Sequence, residues 1–137
     1  MSDLVAFLTA RLDEDEATAN AATPAPWVET GEDILSASDD PHWTSACAAN
    51  ASGADARHIA RWDPVRVLRE VEAKRRILKL HAREHHCPIS IPTETPERFP
   101  EGEYISTEYV DDSEACTTVR ALAAVYAGHP DYDEAWK

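Results

Sequence analysis

The sequence predicts an α+β fold, and three observations carry that prediction. Leu4, Phe7, Leu8 and Leu12 recur at the spacing of one helical face. Between residues 26 and 50 three short segments of strand character are separated by clusters of turn residues. From Asp55 onward helical periodicity returns, with capping residues ahead of each run. At 137 residues, 43% hydrophobic and 28% charged, the chain has the size of one domain spanning 1–137. The expected order is an N-terminal helix, a short three-stranded antiparallel meander, a long central helix, an irregular Pro-rich excursion and a C-terminal helix.

The first helix, within 1–22, has Ser2 placed to cap its start and an alanine-rich second half that costs little helical propensity. Thr23-Pro24-Ala25-Pro26 stops it, because proline cannot donate to a helix and restricts the residue before it. The acidic run Asp13 to Glu16 lies within the helix and reads as a solvated face rather than a cation site. The meander, within 26–50, is built from Trp27 to Glu29, Ile34 to Ser36 and Trp43 to Cys47, with turns at Gly31-Glu32-Asp33 and Ser38 to Pro41.

The helical segment 54–86 opens with a short helix through His58, Ile59 and Ala60 that Asp55 is placed to cap. Asp63-Pro64 then supplies a cap and a proline at the first position of a longer helix, whose stripe is Val67, Leu68, Val71, Ile77 and Leu78. Glu70/Lys74 and Glu72/Arg76 are oriented to pair at i, i+4, and the helix is expected to reach His85 or His86 before Pro88 forbids more. The excursion 87–110 holds four prolines between 88 and 100 and one more strand around Tyr104, Ile105 and Tyr109. In 112–137, Asp112 or Ser113 caps a helix with Val119, Leu122, Ala123 and Tyr126 on one face, followed by Gly128, His129-Pro130-Asp131-Tyr132 and Trp136.

Charge restricts function. The net charge of -13 argues against a surface that coats DNA. The chain has no apolar run long enough for a bilayer, and Asp3, Arg11 and Asp13 interrupt the stretch a signal peptide would need, so a cytoplasmic protein is expected. Nine of the 13 basic residues lie between Arg57 and Arg83 against three acids. This basic helix either neutralises acidic segments of its own fold or offers Arg66, Arg69, Lys74, Arg75, Arg76 and Lys79 to an anionic partner. Self-neutralisation is favoured, since no aromatic-interleaved stripe or reader motif accompanies the run.

The chemically suggestive residues are His81, His85, Cys87 and Cys116. An i, i+4 histidine pair shares one helical face, Cys87 just beyond the helix end can turn back to it, and Cys116 can close a tetrahedral set around one structural zinc. Histidines are also favoured in a last helical turn by the macrodipole, and thiols are at home in cores. Three cysteines leave an odd thiol in any disulfide scheme; if two pair, Cys87 and Cys116 are the expected bridge, with Cys47 a small buried side chain. No nucleophile elbow, phosphate-cradling glycine loop or H-E-x-x-H site is present, so no catalytic residues are assigned and the chain reads as non-enzymatic. Trp27, Trp43, Trp62 and Trp136 read as core or edge packing.

The order of motifs, from Arg11-Leu12-Asp13-Glu14-Asp15-Glu16 and Thr23-Pro24-Ala25-Pro26-Trp27 through the run His58 to Leu78 to His129-Pro130-Asp131-Tyr132, resembles an uncharacterised family of small proteins from actinobacteria and their phages. In layout it is also similar to accessory early-region proteins of temperate phages. The resemblance implies a phage or mobile-element context, a host-cell cytoplasm if phage-encoded, and no assigned activity. The expected function is that of a small accessory protein binding a host or phage protein. The alternatives are a nucleic-acid binder using the basic helix 57–83, or an acidic DNA mimic that inhibits a DNA-binding or defence protein.

Overall fold

The structure, a computed structural model, describes residues 3–36, 45–92, 103–111 and 116–137. Its elements are α1 (Asp3–Ala21), β1 (Trp27–Thr30), β2 (Asp33–Ser36), β3 (Ser45–Ala48), α2 (Gly53–Arg61), α3 (Pro64–His81), β4 (His85–Pro92), β5 (Glu103–Val110) and α4 (Thr117–Ala124), closed by a 3₁₀ turn at Glu134–Trp136. This is the α+β architecture that the sequence predicts. The chain divides into two compact units, Arg11–Arg75 and Met1–Ala10 with Arg76–Lys137. No helix among the described residues is long and apolar enough to cross a membrane.

In the unit Arg11–Arg75, β1, β2 and β3 form an antiparallel sheet in that order. Thr30 pairs with Asp33, leaving a two-residue loop whose first residue, Gly31, has φ +74, a conformation that costs glycine nothing. Ile34 pairs with Ala48 but Leu35 with Ala46, so the register slips by one residue at Cys47. Ile34 and Ser36 point inward, and the Ser36 hydroxyl donates to the Pro24 carbonyl at 2.5 Å, which satisfies a buried polar group. Trp43 and the turn before it lie outside the described residues.

The helical segment 54–86 is two helices that end earlier than expected. Ser52, not Asp55, caps α2: its hydroxyl accepts from the Asp55 N–H and donates to the Asp55 carboxylate at 2.6 Å, which places Asp55 inside the first turn. The Asp63 carboxylate accepts from the Arg66 N–H at 2.9 Å, and Pro64 opens α3, as the sequence predicts. Along α3, Val71 and Leu78 are buried, whereas Ile77 falls at the edge of the stripe and is 37% exposed. The helix stops at His81 because the chain needs extended backbone from His85 to enter β4.

The unit containing α4 has an aromatic core of its own. Phe7 sits among Tyr126, His129, Tyr132 and Trp136, with ring centroids 5.1–6.3 Å apart. Leu4, Leu8, Val110, Val119 and Ala123 are also buried there. The excursion 87–110 is more regular than expected. β4 and β5 pair antiparallel from His85↔Val110 to Pro92↔Glu103. The cap of α4 is Cys116; Asp112 and Ser113 lie outside the described residues, as does Ser2 at the start of the chain. After Ala124 the chain tightens into successive three-residue turns through Tyr126, Ala127 and His129.

Candidate metal centre

Three changes of backbone bring four metal-ligating side chains together. His81 is the last residue of α3, three residues of turn follow, and β4 begins at His85. On a strand, alternate residues share a face, so His85 and Cys87 point one way and the exposed His86 the other. The ring of His86 meets that of its cross-strand partner Tyr109 at 5.4 Å, and the Tyr109 hydroxyl donates to Glu84 at 2.5 Å, which ties the turn to β5. Cys116 follows β5, whose last residue Val110 pairs with His85, and arrives as the cap of α4.

The expected residues therefore meet, but by a different route. The i, i+4 relation of His81 and His85 on one helix does not hold, because only His81 is helical. Strand parity for His85 and Cys87, and the position of Cys116 at a helix start, take its place.

One nitrogen or sulfur from each of the four residues lies within 4.8 Å of every other. Cys87 Sγ and Cys116 Sγ are 3.8 Å apart. Cys116 Sγ is 3.5 Å from His81 Nδ1 and 3.4 Å from His85 Nε2; Cys87 Sγ is 3.9 Å from His81 Nδ1. The two ring nitrogens are 3.0 Å apart. A tetrahedral zinc ion with ordinary bond lengths sets its sulfurs about 3.8 Å apart, sulfur and nitrogen about 3.6 Å and its nitrogens about 3.3 Å. Five of the six donor pairs have these spacings to within a few tenths of an ångström, and the sixth, Cys87 with His85, is within 4.8 Å. A disulfide it is not: bonded sulfurs sit about 2.05 Å apart, and all three cysteines are free thiols.

The surroundings orient the donors. His85 Nδ1–H donates to the Arg83 carbonyl at 2.6 Å, and since a carbonyl only accepts, the proton belongs on Nδ1 and the Nε2 lone pair is left for a ligand. His81 Nδ1 can then donate to that Nε2, a proton that a metal ion would displace. The Thr118 hydroxyl lies 3.5 Å from Cys87 Sγ. Burial alone would raise the Cys87 thiol, but hydrogen bonds from Thr118, His85 and Cys116 hold it below its ordinary value. Burial raises Cys116, and the N–H groups of Thr118 and Val119 act the other way without closing a cap hydrogen bond. Burial lowers His81, helped by the charge of His85; the Arg83 carbonyl raises His85. Both thiols are fully buried and both imidazoles half-buried. Thr118 and Arg83 were not singled out in the sequence; the Thr-Thr pair directly after Cys116 was the available signal for the first.

The basic residues fare unevenly. Arg75 bonds Asp13 at 2.5 Å and Glu16 at 2.8 Å, which raises its pKa further, and Arg66 pairs with Glu70 at 3.2 Å. Arg69, Arg76 and Lys79 are exposed and Lys74 is half-buried. These ion pairs put part of the basic helix to work inside the fold, against the acidic run of α1. Trp62 stands at its start, 40% exposed, with the Arg66 guanidinium 4.1 Å from its ring centroid. Cys47, half-buried at the register slip of the meander, takes no part in the cluster.

The model of a family of unknown function (DUF6221) matches residues 1–137, and the chain belongs to that family. No curated protein matches the chain. No solved structure matches it either.

Proposed function

We propose that this DUF6221 member is a non-enzymatic accessory protein that binds another protein, and that one structural zinc ion, held by His81, His85, Cys87 and Cys116, fixes part of its fold. The observation that carries the zinc is the set of tetrahedral donor spacings. Imidazole and thiolate together select zinc over calcium or magnesium, which prefer oxygen. Four protein ligands complete the coordination sphere, leaving no position for a catalytic water, and this supports a structural role over a hydrolytic one. The ion joins the end of α3, the start of β4 and the start of α4.

The protein-binding reading is supported by the charge segregation of the sequence and by the resemblance to phage accessory proteins, which makes a host or phage protein the partner sought. Arg75 and Arg66, engaged with acids of their own fold, weigh against a nucleic-acid face along α3. Elemental analysis of protein purified without a histidine tag tests the site, with about one equivalent of zinc expected. Less than about a tenth of an equivalent, or full retention by a Cys87→Ser/Cys116→Ser variant, removes it.

A further inference from the structure

Two adjoining cavities in the unit Arg11–Arg75 differ sharply in character. The first, about 170 Å³ and open to solvent, is lined by Ala19 of α1, Ala22 just beyond it, Trp27 of β1, Trp62, and Pro64 and Val67 of α3, with Asp15 its one charged lining residue. The second, about 260 Å³, is a cationic groove lined by Arg57, His58 and Arg61 along the exposed face of α2. Arg61 and Trp62 are consecutive, and the His58 and Trp62 rings lie 6.3 Å apart, so the two cavities share a wall. The geometry of α2 explains the arrangement: Ala56 packs inward, and Arg57, His58 and Arg61 fall on the outer face.

We propose that these cavities form one docking surface for an acidic peptide segment of a partner protein, which inserts a single bulky apolar side chain beside Trp62 and lays carboxylates along Arg57, His58 and Arg61. The proposal rests on the protein-binding reading above and names the chemistry of the partner. Three features choose this occupant. A cavity of about 150 Å³ with apolar walls admits a ring the size of benzene, so the first cavity takes one aromatic or branched aliphatic side chain. Among the described residues Arg57 and Arg61 have no ion pair, unlike Arg66 and Arg75, so their charge is uncommitted in an otherwise acidic chain. Asp15 on the α1 side and the cations on α2 orient the segment, its acids running toward α2. A nucleic acid fits less well. The apolar cavity offers almost no polar group to a base edge, and two arginines on one short helix track few phosphates.

The test is selection from a random-peptide display library on the zinc-loaded full chain, followed by fluorescence anisotropy of the selected peptides and of a labelled oligothymidylate. The expected consensus is an aromatic, leucine or isoleucine residue with aspartate or glutamate within a few positions, bound more weakly as salt rises. Arg57→Glu/Arg61→Glu, and independently Ala22→Leu at the cavity rim, should each weaken binding by at least about tenfold while circular dichroism and zinc content stay unchanged. Selected peptides that lack acids, or whose binding both variants leave within about twofold, overturn the docking surface and leave the protein-binding reading standing. Oligothymidylate binding as tight as that of the best peptide, or no selected peptide at all, overturns both.

Discussion

Removing the proposed zinc is the perturbation with the largest expected consequence. Stripped of zinc, the site leaves two buried thiols and two imidazoles held by one N–H···N contact of 3.0 Å and sulfur contacts of 3.4–3.9 Å. Such contacts are weak, and beside them the turn between α3 and β4 is held by the Tyr109–Glu84 hydrogen bond and by the bond of His85 to the Arg83 carbonyl. A ligand that binds only the folded chain stabilises it by about 4 kcal/mol when its free concentration is about 1,000 times the dissociation constant. For a chain of this size each kcal/mol moves the melting temperature by about 3–5 °C, so chelation should lower it by about 12–20 °C. The loss should also be local. Hydrogen exchange should quicken first in β4, β5 and the first turn of α4, while β1 to β3 and α2, which contain no ligand, keep their protection. Thermal melts by circular dichroism, before and after chelation and again after one equivalent of zinc is restored, make the measurement. A melting temperature that moves by less than about 3 °C while elemental analysis confirms the metal has gone would falsify the structural role.

Phe7→Ala removes the ring around which Tyr126, His129, Tyr132 and Trp136 are arranged and should cost about 3–5 kcal/mol, read as a shifted denaturant midpoint with zinc content retained. Arg75→Ala breaks two ion pairs at a side chain about one-third exposed, so its cost should be about 1 kcal/mol or less and should shrink in high salt; a salt-independent loss of several kcal/mol would show that the guanidinium does more than pair with α1. In the zinc-free protein the two histidines pull stability in opposite directions about their ordinary value of 6.5. Above it, folded His85 keeps a proton the unfolded chain has lost, and its contribution fades as pH rises through the raised folded value; below it, unfolded His81 takes a proton the folded chain refuses, and stability is lost as pH falls toward the lowered folded value. Melting temperature against pH should therefore peak near 6.5 without zinc and climb with pH through this range with zinc bound, because the ligands must be deprotonated; a monotonic zinc-free profile would overturn the assignment.

The helices were legible because their signals are local. Leu4, Phe7, Leu8 and Leu12 announce α1, and Asp63-Pro64 fixes the start of α3 to the residue. The meander was legible from its turns, down to the hairpin at Gly31, but the slip at Cys47 was not, since a register depends on the partner strand and Ala and Ser on β3 carry almost no facing preference. Misplaced caps have a similar origin. Ser52 and Asp55 are both good cap residues three apart, and each bonds the other, so the sequence alone does not say which sits outside the helix. The end of α3 was overestimated because His81 to His86 contains no helix breaker: what ends the helix is pairing with β5, about twenty residues further along, and a non-local contact overrides a permissive local sequence.

The metal centre shows why a ligand set can be read more reliably than the backbone that carries it. Helical and extended readings of residues 81–87 disagree about every dihedral angle between His81 and Cys87, yet both place three donors within one short span. A helix joins His81 to His85 by its 3.6-residue period; the observed turn brings His85 back over the end of α3, and strand alternation then adds Cys87 to the same face. What neither reading contains is the fourth ligand. Cys116 is 29 residues from Cys87, and it returns because β4 and β5 pair from His85↔Val110 onward, which carries the chain back to its own starting point and delivers the cap of α4 beside the ligands. β4 and β5 therefore have a defined role in the site, as paired strands that close a loop whose entropic cost grows only slowly with length. It follows that lengthening the ribbon at its far end should leave zinc binding almost unchanged, whereas a change of register by one residue, which would turn His85 and Cys87 to the opposite face, should abolish it.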